Sequence, residues 1–320
     1  MNPARGAVRY RLGSGLLAIA LVGYGLAASA QSQPDSTPPE ANPGRPTVTN
    51  PASITPVGYL QFEQGYLGSL DSPATSSQYG LNQSIKLTVH PRLMLQVQSQ
   101  PFATTSVAGT PGVSTDAGDV LLGAQLIVWN RPATSVSLPG DRHRHAYVRS
   151  ALPTIAVTYL NRVHDGTAPD IDLGSQDRTA LLLFSGHASG IDVHYDINII
   201  VSQQSEVEPL PTNPPVSHNV RRAQFGRTFS IDRPLFNPNL QISAEIYSFS
   251  QPFVHATSAG ITIPRADLLG ALVAFSYQLR PNLVFDCGFE HGLTSTSTRW
   301  QSFTGFTYLL PRRLWPAHRS

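Results

Sequence analysis

The chain predicts an all-β fold, an antiparallel up-and-down barrel of about twelve strands that crosses a membrane, and three observations predict it. Strand-length segments with two-residue periodicity recur from Val57 to Leu310. The links between them alternate short and long, the wiring of outer-membrane barrels, which have tight turns at one end and longer loops at the other. Charged residues are 13% of the chain, well below the roughly 25% of a soluble domain, yet mean hydropathy is slightly negative. A barrel with an oily outside and a polar inside reconciles those two figures, because its strands average out.

The chain opens with Arg5, Arg9 and Arg11, an apolar run from Leu16 to Ala28, and the small-residue site Ala28-Ser29-Ala30. This pattern predicts a cleaved secretory signal peptide over residues 1–30. The run is shorter than the roughly 20 residues a spanning helix needs. Residues 1–30 hold three Arg and no acidic residue, so cleavage takes the formal net charge from +2 to −1. The basic balance of the full chain is therefore no signal for nucleic acid, and no Arg/Lys run with interleaved aromatics appears. One cysteine, Cys287, excludes a disulfide framework.

Residues 31–56 form a Pro/Ser-rich leader with little apolar bulk, expected on the periplasmic side. Composition does not separate a spacer from a segment tucked into a lumen, and a spacer is the simpler expectation.

The barrel is expected over residues 57–310, with a tail over 311–320. Its first segment, Gly58 to Leu67, sets Leu60, Phe62 and Tyr66 against Gln61, Glu63 and Gly65. The second, Tyr79 to Val89, sets Leu81, Ile85 and Leu87 against Asn82, Ser84 and Lys86. Leu93, Leu95 and Val97 carry the third, and Val120, Leu122, Ala124, Leu126 and Val128 the outward face of the fourth. The fifth and sixth lie near Thr154–Leu160 and Arg178–His187. Ile191–Val201 is the cleanest, with Val193, Tyr195, Ile197 and Ile199 opposing Asp192, His194, Asp196 and Asn198. The eighth, Arg221–Ser230, is the weakest, since Arg227 shares a face with Phe225 and Phe229. Leu240–Phe249 sets Leu240, Ile242, Ala244 and Ile246 against Gln241, Ser243, Glu245 and Tyr247.

Arg265–Leu293 reads as a hairpin about the turn Arg280-Pro281-Asn282, with Phe285, Cys287 and Phe289 on one face and Asp286, Gly288 and Glu290 on the other. Trp300–Leu310 closes the set. The loops are expected at Asp71–Ser77, Ala103–Ala117, His164–Gln176, Ser205–His218 and Gln251–Pro264. Arg131–Ala146 is a long link where a short turn belongs. An even strand count puts both barrel ends on the periplasmic side.

Hydrocarbon offers backbone amides no partner, so without an apolar helix only a closed barrel can span. Twelve strands fall between the filled eight-stranded barrels and the open channels of about 16 to 18, so a small lumen is expected. Its candidate lining groups are Glu63, Lys86, Asp192, His194, Asp196, Asn198, Gln241, Glu245, Asp286 and Glu290. For each, the simpler expectation is a solvated polar residue that fills the barrel interior. The set leans acidic, which favours cationic or neutral solutes.

Three motifs carry a resemblance: Gly118-Asp119-Val120-Leu121-Leu122-Gly123, the Leu279-Arg280-Pro281-Asn282-Leu283 turn, and the closing Trp300–Tyr308 strand. Their order resembles the outer-membrane porin/transporter family associated with the meta-pathway of phenol degradation. The resemblance covers roughly Gly58 to Leu310. It implies an outer-membrane barrel that takes up small solutes, hydrophobic or aromatic ones among them. Such barrels usually finish on an aromatic residue, whereas here Leu310 stands at that place and PRRLWPAHRS follows.

The expected localisation is the bacterial outer membrane, and the expected partners are outer-membrane lipid, a small solute and the barrel-assembly machinery. No enzyme activity, cofactor, metal or nucleic acid is expected. A soluble secreted β-sandwich binding module also alternates and stays open as an alternative. A barrel hydrolase built on His291 with Ser248 or Ser250 is a more distant one. The Arg142-His143-Arg144-His145 run offers two imidazoles on one face, but it reads as a polar loop.

Overall fold

The computed structural model describes residues 39–45, 47–72, 75–107, 111–130, 153–167, 176–188, 193–209, 217–251 and 267–315. The signal peptide, the Arg142–His145 run, the Arg131–Ala146 link and Asp192 lie outside them.

Thirteen strands are present among the described residues: β1 (Leu60–Leu70), β2 (Thr75–His90), β3 (Leu93–Val107), β4 (Ser114–Asp116), β5 (Val120–Trp129), β6 (Thr154–His164), β7 (Gln176–Ala188), β8 (Val193–Pro209), β9 (Ser217–Pro234), β10 (Leu240–Phe249), β11 (Leu268–Arg280), β12 (Leu283–Gly292) and β13 (Trp300–Leu309). Twelve of them close an antiparallel barrel. Each pairs with its neighbour in sequence, β5 follows β3, and β1 pairs with both β2 and β13, so no free edge is left. The short β4 is a flap on the outer part of β3, where Ala103 to Thr105 pair with Asp116 to Ser114.

Three expected loops are partly strand, and β2 already starts at Thr75 inside the Asp71–Ser77 stretch. β3 continues to Val107 and β4 forms inside the Ala103–Ala117 stretch. β8 and β9 run 17 and 18 residues and stay paired out to Pro209 and Ser217. Apolar alternation is demanded only where one face meets lipid, so a hairpin rising beyond that zone keeps its ladder while its sequence turns polar.

Alternation sorts the side chains as the periodicity predicts. Leu122, Leu126, Val128, Ile197, Ile199, Val201, Val273, Phe275 and Phe285 are exposed on the outside. Phe225 and Phe229 are exposed there too, with Arg227 between them on the same face. Cys287 lies outside. The core is the barrel interior, where Ala52, Leu160, Leu181, Leu183, Ile200, Tyr247, Phe249 and Leu268 form a buried apolar cluster.

Both chain arms meet at one end, called here the proximal end. The Gly58 amide donates to the Thr88 carbonyl, the Leu310 amide to Leu60, and the Leu314 amide to Gly58. Arg313 lies over the Tyr59 ring at 5.3 Å. The described part of the tail thus folds back on the start of β1.

Candidate functional site

A closed barrel buries whatever lies inside it, and an irregular segment placed there must find partners for every backbone amide and carbonyl. The described residues 39–45 and 47–56 are such a segment. They enter at the proximal end, where the Ala41 amide donates to Pro281, and reach mid-barrel. They leave again beside Thr88, whose hydroxyl is 2.7 Å from that of Thr55. Ala41, Thr49, Ala52 and Thr55 are buried. The leader is thus a lumen occupant over its described length, in place of the spacer that composition suggested.

The barrel wall supplies the missing secondary structure. Gln61 on β1 accepts the Asn42 amide at 2.8 Å and donates to the Asn42 carbonyl at 2.7 Å, as a neighbouring strand would. Asn198 on β8 does the same for Asn50 once its amide is oriented to satisfy both groups, donating at 2.9 Å and accepting at 2.6 Å. Gln125 on β5 donates to the carbonyls of Pro51, Ala52 and Ser53. The Ala52 amide donates to Ser185 Oγ on β7 at 2.6 Å.

Charge fixes the leader at three points. Glu245 on β10 accepts the Val48 amide at 2.9 Å, the Thr49 amide at 3.0 Å and the Thr49 hydroxyl at 2.8 Å. Glu63 accepts the Gly44 amide at 3.0 Å and Gln61 Nε2 at 2.8 Å, and forms a buried pair with Lys86 at 2.6 Å. Arg45 reaches Asp286 at 3.4 Å. Its guanidinium lies where Gly65 of β1 and Gly305 of β13, direct register partners, leave a notch in the wall. A β-carbon on Gly65 would come within 2.1 Å of it. Gly305 pairs in turn with Asp286 on β12, so notch and carboxylate share one row.

Of the remaining expected lining groups, Glu290 is buried and accepts from Tyr247 and from Gln301, the latter at 2.7 Å. Asp196 is buried and accepts from Ser185. His194 sits beside Asp232 at 2.8 Å. Gln241 is half-buried near the proximal end. Four acids expected to face a water-filled pore therefore have protein partners: Glu63, Glu245, Asp286 and Glu290. Gln61, Gln125, Ser185, Arg45, Gly65 and Gly305 were not singled out by sequence. The inward glutamines were visible in the alternation, but nothing local distinguishes a glutamine that meets water from one that meets a chain.

One cavity between the leader and the wall from β2 to β7 measures about 20 Å³, lined by Asn42, Pro51, Lys86, Gln96, Thr158 and Leu181 among others. That holds about one water. At the far rim, Arg162 pairs with Asp119 at 3.3 Å, with Asp165 at 2.8 Å and with Asp177. His291 is engaged by the Arg299 carbonyl at 2.6 Å, and the Ser250 hydroxyl accepts the Phe225 amide. Ser248 pairs in register with Leu269 and His291 with Ala271, two strands apart, so no nucleophile and base are brought together there.

No family model matches the sequence, and no curated protein matches it. An outer membrane channel from Pseudomonas putida F1 is similar in structure, with a TM-score of 0.51 at 12% identity over 88% of this chain and 100% of that one. At that identity the likeness shows the fold. The NanC porin (TM-score 0.46, 9% identity, 78% of this chain and 98% of that one) and the KdgM porin (0.43, 10%, 78% and 98%) are also similar.

Proposed function

We propose that the protein is an outer-membrane barrel that passes small solutes, and that residues 41–55 hold it shut until they move. The observation that carries this reading is the occupied lumen: a loop seated by wall side chains at every depth it reaches, with a cavity beside it on the β2-to-β7 side that holds about one water. A structural barrel has no need of a seat so specific to an irregular segment. The outward apolar face and the signal-peptide pattern support the outer membrane as its location, with membrane lipid and the assembly machinery as partners.

The inward surface is mixed, and that bears on the solute. Leu160, Leu181, Leu183, Ile200 and Phe249 lie on the same interior as the buried carboxylates. Displacing the leader exposes an apolar wall beside Glu63, Glu245 and Asp286, a surface suited to a small solute with an aromatic or aliphatic body and no negative charge. The phenol association of the resembling family fits that surface as one instance.

The test is flux into proteoliposomes of a neutral aromatic, a sugar of similar size and an aromatic carboxylate, with the full mature chain and with one lacking residues 39–55. Aromatic flux through the shortened barrel ahead of the other two supports the reading. Equal exclusion of all three by the shortened barrel sinks it. A soluble binding module, the other reading of the alternation, would fractionate with the periplasm rather than with membranes.

A further inference from the structure

A second cluster stands at the proximal mouth of the lumen, on the wall formed by β7, β8 and β9. His187, His194 and Asp232 are direct neighbours in register across those three strands. Asp196 follows His194 by two residues and so shares its face. His194 Nδ1 is 2.8 Å from Asp232 Oδ1 and 3.6 Å from Asp196 Oδ2. One ligand atom from each of the three lies within 4.8 Å of the others. The ring nitrogen hydrogen-bonds Asp232, while Asp196 stands beyond hydrogen-bonding range of it, within ion-pair distance, and accepts from Ser185. Two shielded carboxylates converging on one imidazole nitrogen favour a cation between them.

The spacing suits a particular class of ion. Bonds of about 2.0–2.2 Å in a tetrahedral Zn²⁺ site put neighbouring donor atoms roughly 3.3 Å apart, and the two nitrogen–oxygen separations bracket that value. Mg²⁺ and Ca²⁺ prefer six or more oxygen ligands, whereas imidazole with carboxylates selects zinc and its transition-metal neighbours.

We propose that His194, Asp196 and Asp232 form a Zn²⁺-class site at the proximal mouth of the barrel, with the fourth position open to water or to His187, its neighbour in register. The site touches the leader through one hydroxyl. Ser185 Oγ donates to Asp196 and accepts the Ala52 amide of the leader, the arrangement by which an outer group orients a metal-bound carboxylate. A bound ion fixes Asp196, and through Ser185 it fixes the returning arm of the leader.

The experiment uses the mature chain without a histidine tag, folded in detergent, with Zn²⁺ titrated calorimetrically and Co²⁺ as a coloured substitute. One Zn²⁺ per barrel is expected, unaffected by excess Mg²⁺, with the visible absorption of four-coordinate Co²⁺. His194→Gln and Asp232→Asn, checked for folding by heat-modifiable migration, are each expected to weaken binding at least about tenfold. No saturable Zn²⁺ binding by the folded wild type overturns the proposal. So does binding of wild-type affinity, with an unchanged Co²⁺ spectrum, in both folded variants.

Discussion

Replacing Glu245 by Ala removes the deepest anchor of the leader. Two backbone amides and one hydroxyl donate to that carboxylate at 2.8–3.0 Å. Hydrogen bonds to a charged group contribute about 1.5–3 kcal/mol each. Three that share one acceptor do not add fully, and Thr49 Oγ1 retains its 2.8 Å contact with Thr228 Oγ1 in the variant. A loss of about 2–4 kcal/mol in leader docking follows, since the orphaned donors remain in a dry interior. At about 1.4 kcal/mol per decade, that multiplies the undocked population roughly 30- to 700-fold. Hydrogen exchange reads the population directly, because an amide exchanges through the open state. Peptides covering residues 41–55 should exchange faster by that factor in Glu245→Ala, while the β8–β9 ladder keeps its protection. Unchanged protection over residues 47–50 would refute the reasoning, since it would mean that the carboxylate does not hold the leader.

Lys86→Met leaves Glu63 buried beside no cation, and removing one partner of such a pair costs about 3–5 kcal/mol. A lowered urea midpoint in the heat-modifiable gel shift checks this, and Glu63→Gln added to Lys86→Met should recover most of the loss. Gly65→Val fills the notch that the Arg45 guanidinium occupies. The leader should then exchange faster near Arg45 with little change in barrel stability, and wild-type exchange in that variant would mean the notch is not a seat.

The barrel was legible because lipid imposes a two-residue period on every strand that crosses it. Leu240–Phe249 was placed at both ends, and Arg280-Pro281-Asn282 fell at the turn between β11 and β12. Legibility stopped where that constraint stops. The polar outer parts of β8 and β9 carry no loop-to-strand signal because hydrogen bonding alone continues them, and β4 leaves no periodic trace in three residues. The same limit explains the site. Glu63, Lys86, Glu245, Asp286 and Glu290 were found as inward polar groups because alternation gives the face. What Glu63, Glu245 and Asp286 touch depends on the leader, which has no period of its own. A leader of Pro, Ser, Thr and Asn has the composition of a linker, and its backbone is complemented by inward groups scattered over the wall, Gln61, Gln125, Asn198, Glu63, Glu245 and Ser185 among them. Gly65 falls on the inward face of the first segment and Gly305 in the closing strand, and their use appears only when Arg45 is set against them.

The central claim is that the leader closes the barrel, and single-channel recording in planar bilayers tests it most directly. The full mature chain should be silent apart from brief openings, and the chain lacking residues 39–55 should show steady, cation-preferring conductance through a lumen that now exposes Glu63, Glu245 and Asp286. Equal conductance in the two proteins, whether both open or both silent, would contradict the account.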